Sequence, residues 1–144
     1  MKKMNKKGFT LIEMLAVIAI IAVLVAIIVP AVGSSTAKAA AAADAANLRS
    51  LTAEAAIDYL DNNCKGLTDV DAYVMDSKLW KKDNIVVTFY EIDGALVGVV
   101  SNGATTATLA DVEYFSKVAE TGKESDATPF TVPTGVSAVT EISG

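Results

Sequence analysis

The chain has 144 residues, enough for one domain with an appended segment and too few for two ordinary domains. It holds one cysteine and no histidine, which removes His-dependent triads, histidine zinc sites, multi-cysteine metal clusters and any intrachain disulfide framework. Twelve Lys and Arg against seventeen Asp and Glu leave a net charge of −5, which argues against a grip on phosphate backbones, so no nucleic acid is expected as a partner.

The first element is apolar. From Met14 to Val32 the chain reads MLAVIAIIAVLVAIIVPAV, nineteen residues without a charge or a hydroxyl, long enough as a helix to cross a hydrocarbon layer. Lys2, Lys3, Lys6 and Lys7 precede it, and because basic flanks stay on the cytoplasmic side, residues 34–144 are expected outside. That outer part carries eight basic and sixteen acidic side chains. A cleaved secretory signal ending near Ala31-Val32-Gly33 is the competing reading. Against it stand the length of the apolar run, the acidic Glu13 at its front edge, and a helical pattern that continues past Gly33.

Residues 34–62 are rich in alanine and contain neither Gly nor Pro, so the helix is expected to continue. Leu48, Leu51, Ala55 and Tyr59 recur at offsets of three and four and form one stripe, while Arg49, Glu54 and Asp61 fall elsewhere. A helix from Phe9 to Asn62 would be roughly 80 Å long, its first half suited to lipid and its second to packing on a head. Asn62, Asn63 and Gly66 are expected to stop it.

The head, 63–144, reads as a small mixed unit. Leu67 to Asn84 suggests a loop with a short helical piece. Ile85–Ile92, the turn pair Asp93-Gly94 and Ala95–Ser101 predict a β-hairpin over 85–101, and Asn102-Gly103 a second turn. Leu109, Val112, Phe115 and Ala119 have helical spacing, although Thr105–Leu109 also suits a strand, and one more strand is expected within 130–142. Cys64 reads as a small buried apolar residue. Asp69, Asp71 and Asp76 lack the ligand series of an EF-hand and read as a solvated face or helix start, so no metal is assigned. Lys78, Lys81 and Lys82 beside Trp80 suit a soluble rim over a core tryptophan, or a contact between acidic subunits. The fold class is therefore α+β, a long N-terminal membrane and stalk α-helix packed on a small antiparallel β-sheet head. No catalytic constellation stands out, and neither enzyme activity nor a cofactor is expected.

The junction Lys6-Lys7-Gly8-Phe9-Thr10-Leu11-Ile12-Glu13, followed by the apolar run with Pro30 near its end, resembles the type IV pilins and their pseudopilin relatives. The resemblance implies the pilin fold and divides the chain into a prepilin leader, 1–8, a transmembrane and filament-core half-helix, 9–33, an amphipathic half-helix, 34–62, and the head. It implies cleavage between Gly8 and Phe9 by a membrane prepilin peptidase, methylation of the new Phe9 amine, and assembly by a pilus platform from the cytoplasmic membrane into a helical surface filament of identical and related subunits. Adhesion, aggregation and twitching motility are the activities it suggests. A lone Cys64 rules out the C-terminal disulfide loop of many Gram-negative pilins, which makes the chain closer to Gram-positive ones. A pseudopilin of a type II secretion or DNA-uptake machine is the alternative within the superfamily. From a different class comes a non-polymerising, membrane-anchored extracellular binding domain.

Glu13 is the residue on which assembly is expected to turn. A carboxylate deep in a membrane helix costs about 2.5–3.5 kcal/mol, less near the interface, and its place beside nineteen apolar residues asks for a nearby cation. Cleavage would create one at Phe9, and the resemblance implies that Glu13 meets the Phe9 amine of a neighbouring subunit. Such a pair would set register more than stability, because desolvation offsets much of the attraction. Two roles need no partner: Thr10-x-x-Glu13 fits a capping box, and Glu13 could snorkel to the headgroups. Pro30 lacks an amide proton and crowds the carbonyl of Ala26, so a kink or a loosened turn is expected there.

Overall fold

The computed structural model of the chain describes residues 8–142. The four lysines ahead of Gly8, and with them almost all of the expected leader, lie outside the described residues. Two units are distinguished, one ending at Gly33 and one beginning at Ser34.

A 51-residue helix, α1 (Leu11–Asp61), carries the chain from the first unit into the second and runs through Pro30 without a break. It ends where Asn63 and Cys64 adopt positive φ of 55° and 57°, a left-handed exit that Asn tolerates. The Cys64 amide then donates back to the Tyr59 carbonyl at 2.9 Å. This geometry leaves Cys64 exposed, which corrects the expectation that it is a buried apolar residue.

Within the second unit one face of α1 is buried: Ala41, Asp44, Ala45, Leu48, Ala55 and Tyr59, with Leu51 packed beside them. The expected stripe is present and extends two turns further towards the N-terminus, through alanines whose sequence shows no periodicity.

Two small antiparallel sheets and a short helix complete the head. A 3-10 turn at Val70–Ala72 leads into β1 (Val74–Ser77), which pairs with β2 (Lys82–Val86) through Val74–Val86, Met75–Ile85 and Ser77–Lys82. The region expected as a loop therefore holds a hairpin. Next come β3 (Thr88–Ile92), β4 (Ala95–Ser101) and β5 (Leu109–Ala110), in the order β3-β4-β5. Asp93 and Gly94, with φ of 53° and 79°, form the tight turn between β3 and β4, and both positive φ values are what a type I′ hairpin requires. The hairpin predicted over 85–101 is thus corrected to 88–101. Its first strand is divided at Val87, whose amide donates to the Tyr73 carbonyl at 2.8 Å while Thr88 opens the pairing with β4.

The second helix, α2 (Val112–Thr121), starts at its cap, Asp111, which accepts from the Tyr114 amide at 2.9 Å, and stops at Gly122, with φ of 78°. Leu109 and Ala110 precede it as β5, so of the stretch Thr105–Leu109 that also suited a strand only Leu109 is in one, and Leu109 lies outside the helix its spacing suggested. The strand expected within 130–142 is reduced to two isolated bridges, Tyr90 with Ala138 and Leu67 with Glu141, in a stretch that Pro133 and Gly135 interrupt. The core of the head is built from Leu48, Leu67, Val87, Phe89, Val99, Val100, Phe115 and Val118.

Candidate functional site

Three described residues stand ahead of α1: Gly8, Phe9 and Thr10, all exposed. Among the described residues, no heavy atom outside its chain neighbours lies within 4 Å of the place a Cβ on Gly8 would occupy. Phe9 is 79 % exposed. Thr10 and Glu13 form a capping box. The Thr10 amide donates to Glu13 Oε2 at 2.7 Å, the Thr10 hydroxyl donates to the same oxygen at 2.9 Å, and the Glu13 amide donates to Thr10 Oγ1 at 3.3 Å. The structure therefore places Glu13 in the role that needs no partner. Among the described residues no cation lies within ion-pair distance of it, the ion pair present being Lys117 with Glu120 at 3.1 Å in α2.

In the apolar stretch that follows Glu13 the described side chains of the helix are exposed. Fifteen large apolar side chains from Leu11 to Val32 are between 46 % and 83 % exposed. Full burial of each is worth about 1.5–3 kcal/mol, so their combined transfer from water is decisive against leaving this segment solvated. Candidate residues Gly8, Phe9 and Glu13 are thus within two turns at the start of this rod, and Pro30 lies near its other end.

On the head, sequence reasoning missed Asp44. It is fully buried, and its carboxylate accepts from Ser77 Oγ at 2.6 Å, the Lys78 amide at 2.8 Å and the Leu79 amide at 3.0 Å. Trp80 extends the clamp, its amide donating to Ser77 Oγ at 3.1 Å. One signal was available, since Asp44 is the single charged residue on the face carrying Ala41, Leu48 and Ala55. The Trp80 ring lies 5.3 Å from Phe115 and 6.2 Å from Tyr114, and its Nε1 donates to Glu124 at 2.9 Å. Lys78, Lys81 and Lys82 around it are exposed, as a rim over a packed tryptophan should be.

Further down α1, Asp58 accepts from the Thr68 hydroxyl at 2.5 Å, the Thr68 amide at 2.7 Å and Asn62 Nδ2 at 3.1 Å, and the Thr68 bonds hold its carboxyl below the usual carboxylate range. Tyr59 donates to Glu91 at 2.5 Å, and that bond pushes its phenol up to about 12. Asp69, Asp71 and Asp76 do not converge: Asp69 accepts from the Asp71 amide at 3.0 Å, and Asp76 from the Asn84 amide at 3.0 Å.

The capping box, the exposed Gly8 and Phe9 and the exposed apolar helix coincide with one stretch of sequence. Residues 3–29 match the prokaryotic N-terminal methylation motif. That motif is the signature of type IV prepilins, and it supports a pilin-like or pseudopilin protein whose precursor is a substrate for prepilin peptidase. It spans Gly8, Phe9, Thr10 and Glu13 and ends one residue short of Pro30. No curated protein and no solved structure matches the chain significantly.

Proposed function

We propose that the chain is a structural subunit of a type IV pilus, held in the cytoplasmic membrane by its N-terminal half-helix and then assembled into a helical surface filament. The observation that carries this reading is the register of the methylation motif, which runs straight into a helix whose fifteen large apolar side chains are about half or more exposed among the described residues. Prepilin peptidase cuts between Gly8 and Phe9, and the Phe9 amine is methylated. Loss of the leader removes four lysines, leaving eight basic and seventeen acidic side chains, a side-chain net of −9. The Phe9 ammonium of one subunit then meets Glu13 of its neighbour and sets the axial register, while the apolar faces of adjacent helices exchange lipid for one another. Glu13 reaches that state from its capping box, where one carboxylate oxygen is held by Thr10 and the other is left for the cation. Adhesion, aggregation or twitching motility would be the work of the finished fibre.

The test is to shear cells that carry the chain as their sole copy and to look for it in long filaments. Glu13→Val should leave cleavage at Gly8 and the membrane level of the subunit near native while lowering filament yield at least tenfold. Native yield from this variant would refute the pairing of Glu13 with Phe9. Native subunits found only in short, shear-resistant assemblies would transfer the chain to the pseudopilins.

A further inference from the structure

Two patches on the head are complementary in charge and cannot meet within one chain. The first is a shallow groove beside the C-terminal end of α1, lined by Glu54, Ile57, Asp58, Asp61, Asp69 and Tyr73. Ile57 is 63 % exposed, an isolated apolar anchor among carboxylates. Asp58 is occupied by Thr68 and Asn62, whereas the carboxylates of Glu54 and Asp61 enter no hydrogen bond or ion pair among the described residues. The second patch is the turn between β1 and β2. Lys78 and Lys81 are exposed there with ammonium groups that take no acceptor among the described residues, while Lys82 is held by the Asn102 carbonyl.

Their separation follows from what α1 holds. Asp44 binds the amides of Lys78 and Leu79 and fixes the basic turn at its own level, whereas Asp58 binds Thr68 and, at 3.4 Å, the Tyr73 hydroxyl, fixing the groove wall fourteen residues further on. At 1.5 Å per residue the two levels are about 21 Å apart along the helix. β1 bridges them, starting next to Tyr73 and ending next to Lys78.

We infer that the basic turn of one copy docks in the acidic groove of the next, displaced along the helix axis by about 21 Å. Lys78 and Lys81 face Glu54 and Asp61, and Ile57 packs under the aliphatic stems of the lysines, which carry apolar surface to just below their charges. Because the two patches differ the contact is head-to-tail, and because each step also advances along the helix axis it repeats without closing into a ring, as a filament requires and a symmetric dimer does not. Residues 34–144, with eight basic and sixteen acidic side chains, would otherwise repel their copies, so concentrating two exposed lysines at one level gives the repulsion a specific relief.

This contact rests on the filament reading, and the experiment separates the two. Full-length chains carrying Lys78→Glu with Lys81→Glu, Glu54→Lys with Asp61→Lys, or all four changes replace the native copy in cells, with the Phe9 start and the membrane level of the subunit as controls for processing and folding. Each reversed pair should lower sheared filament yield at least tenfold, and the four-fold swap should restore it to within threefold of native. Native yield from either reversed pair, or a swap no better than its halves, overturns the contact while leaving the filament standing. Absence of filaments from the native chain overturns both.

Discussion

Replacing Asp44 with Ala is the perturbation that bears hardest on how the head is joined to its helix. The side chain is fully buried and accepts three hydrogen bonds, one from the buried Ser77 hydroxyl and two from the amides of Lys78 and Leu79. Hydrogen bonds to a charged group contribute about 1.5–3 kcal/mol each, but the variant also relieves a carboxylate of burial, so the three do not add. What remains is a buried hydroxyl and two turn amides without their acceptor, and each buried donor stranded in this way costs about 1–3 kcal/mol. Trp80 is the sole tryptophan and its amide donates into the same clamp, so its emission reports the event directly. In urea titrations of the detergent-held full chain, Asp44→Ala should lower stability by about 3–4 kcal/mol, a midpoint shift of roughly 1.5–3 M at ordinary urea slopes. Asp44→Asn, which retains one acceptor oxygen, should lose about half as much. Adding Ser77→Ala to Asp44→Ala should recover part of the loss, because the stranded hydroxyl is gone. A midpoint for Asp44→Ala that corresponds to less than about 1 kcal/mol would refute the view that this carboxylate fastens the β1–β2 turn to the helix.

Gly98 of β4 is tested by Gly98→Val. An added Cβ would press on Thr52 Oγ1 and come within 3.2 Å of both Leu48 Cδ1 and Phe89 Cε1, so overpacking between α1 and the sheet should cost about 1–3 kcal/mol in the same urea titration, and an unchanged midpoint would contradict the close approach. Asp58 makes a prediction about pH. Its carboxyl is held below the ordinary value of 3.8 by Thr68, so the folded state binds the proton less readily than the unfolded one. The contribution is fully present above the ordinary value and is lost as pH falls through the lowered one. The stability gap between native and Asp58→Asn chains should accordingly be constant near neutrality and close at the acid end, and a gap that widens on acidification would reverse the sign.

How far the sequence could be read depended on whether a residue's neighbours were local. The helix was legible because its apolar run, its capping box and its Leu48-to-Tyr59 stripe all have partners within a few residues or along one face. Its upstream face, Ala41 and Ala45, was not, since five consecutive alanines from Ala39 to Ala43 carry no periodicity and only the packed head distinguishes one from another. Asp93-Gly94 announced its turn through backbone conformation alone. By contrast, the division at Val87 depends on Tyr73 offering a carbonyl just ahead of a strand, Val-Met-Asp-Ser, that has little strand propensity of its own. An unbroken run of β-formers on one side and a weak partner on the other concealed both the first hairpin and the start of the second. Cys64 was misplaced for a related reason: residue type favours burial, but the helix exit places it in a left-handed position that turns it to solvent. At the candidate site, the Thr10–Glu13 capping box was legible because its partners are three residues apart, whereas the Asp44 clamp and the groove at Asp58 depend on loops that return from ten or more residues away.

The central claim is that this chain is cut before Phe9 and carried into a polymer, and the intact mass of the subunit recovered from sheared filaments and from membranes of the native host tests it most directly. The expected result is a chain beginning at N-methylated Phe9 in both fractions, with the uncut precursor accumulating only when prepilin peptidase is removed. A chain beginning near Ser34, or one still beginning at Met1 while the peptidase is active, would contradict it.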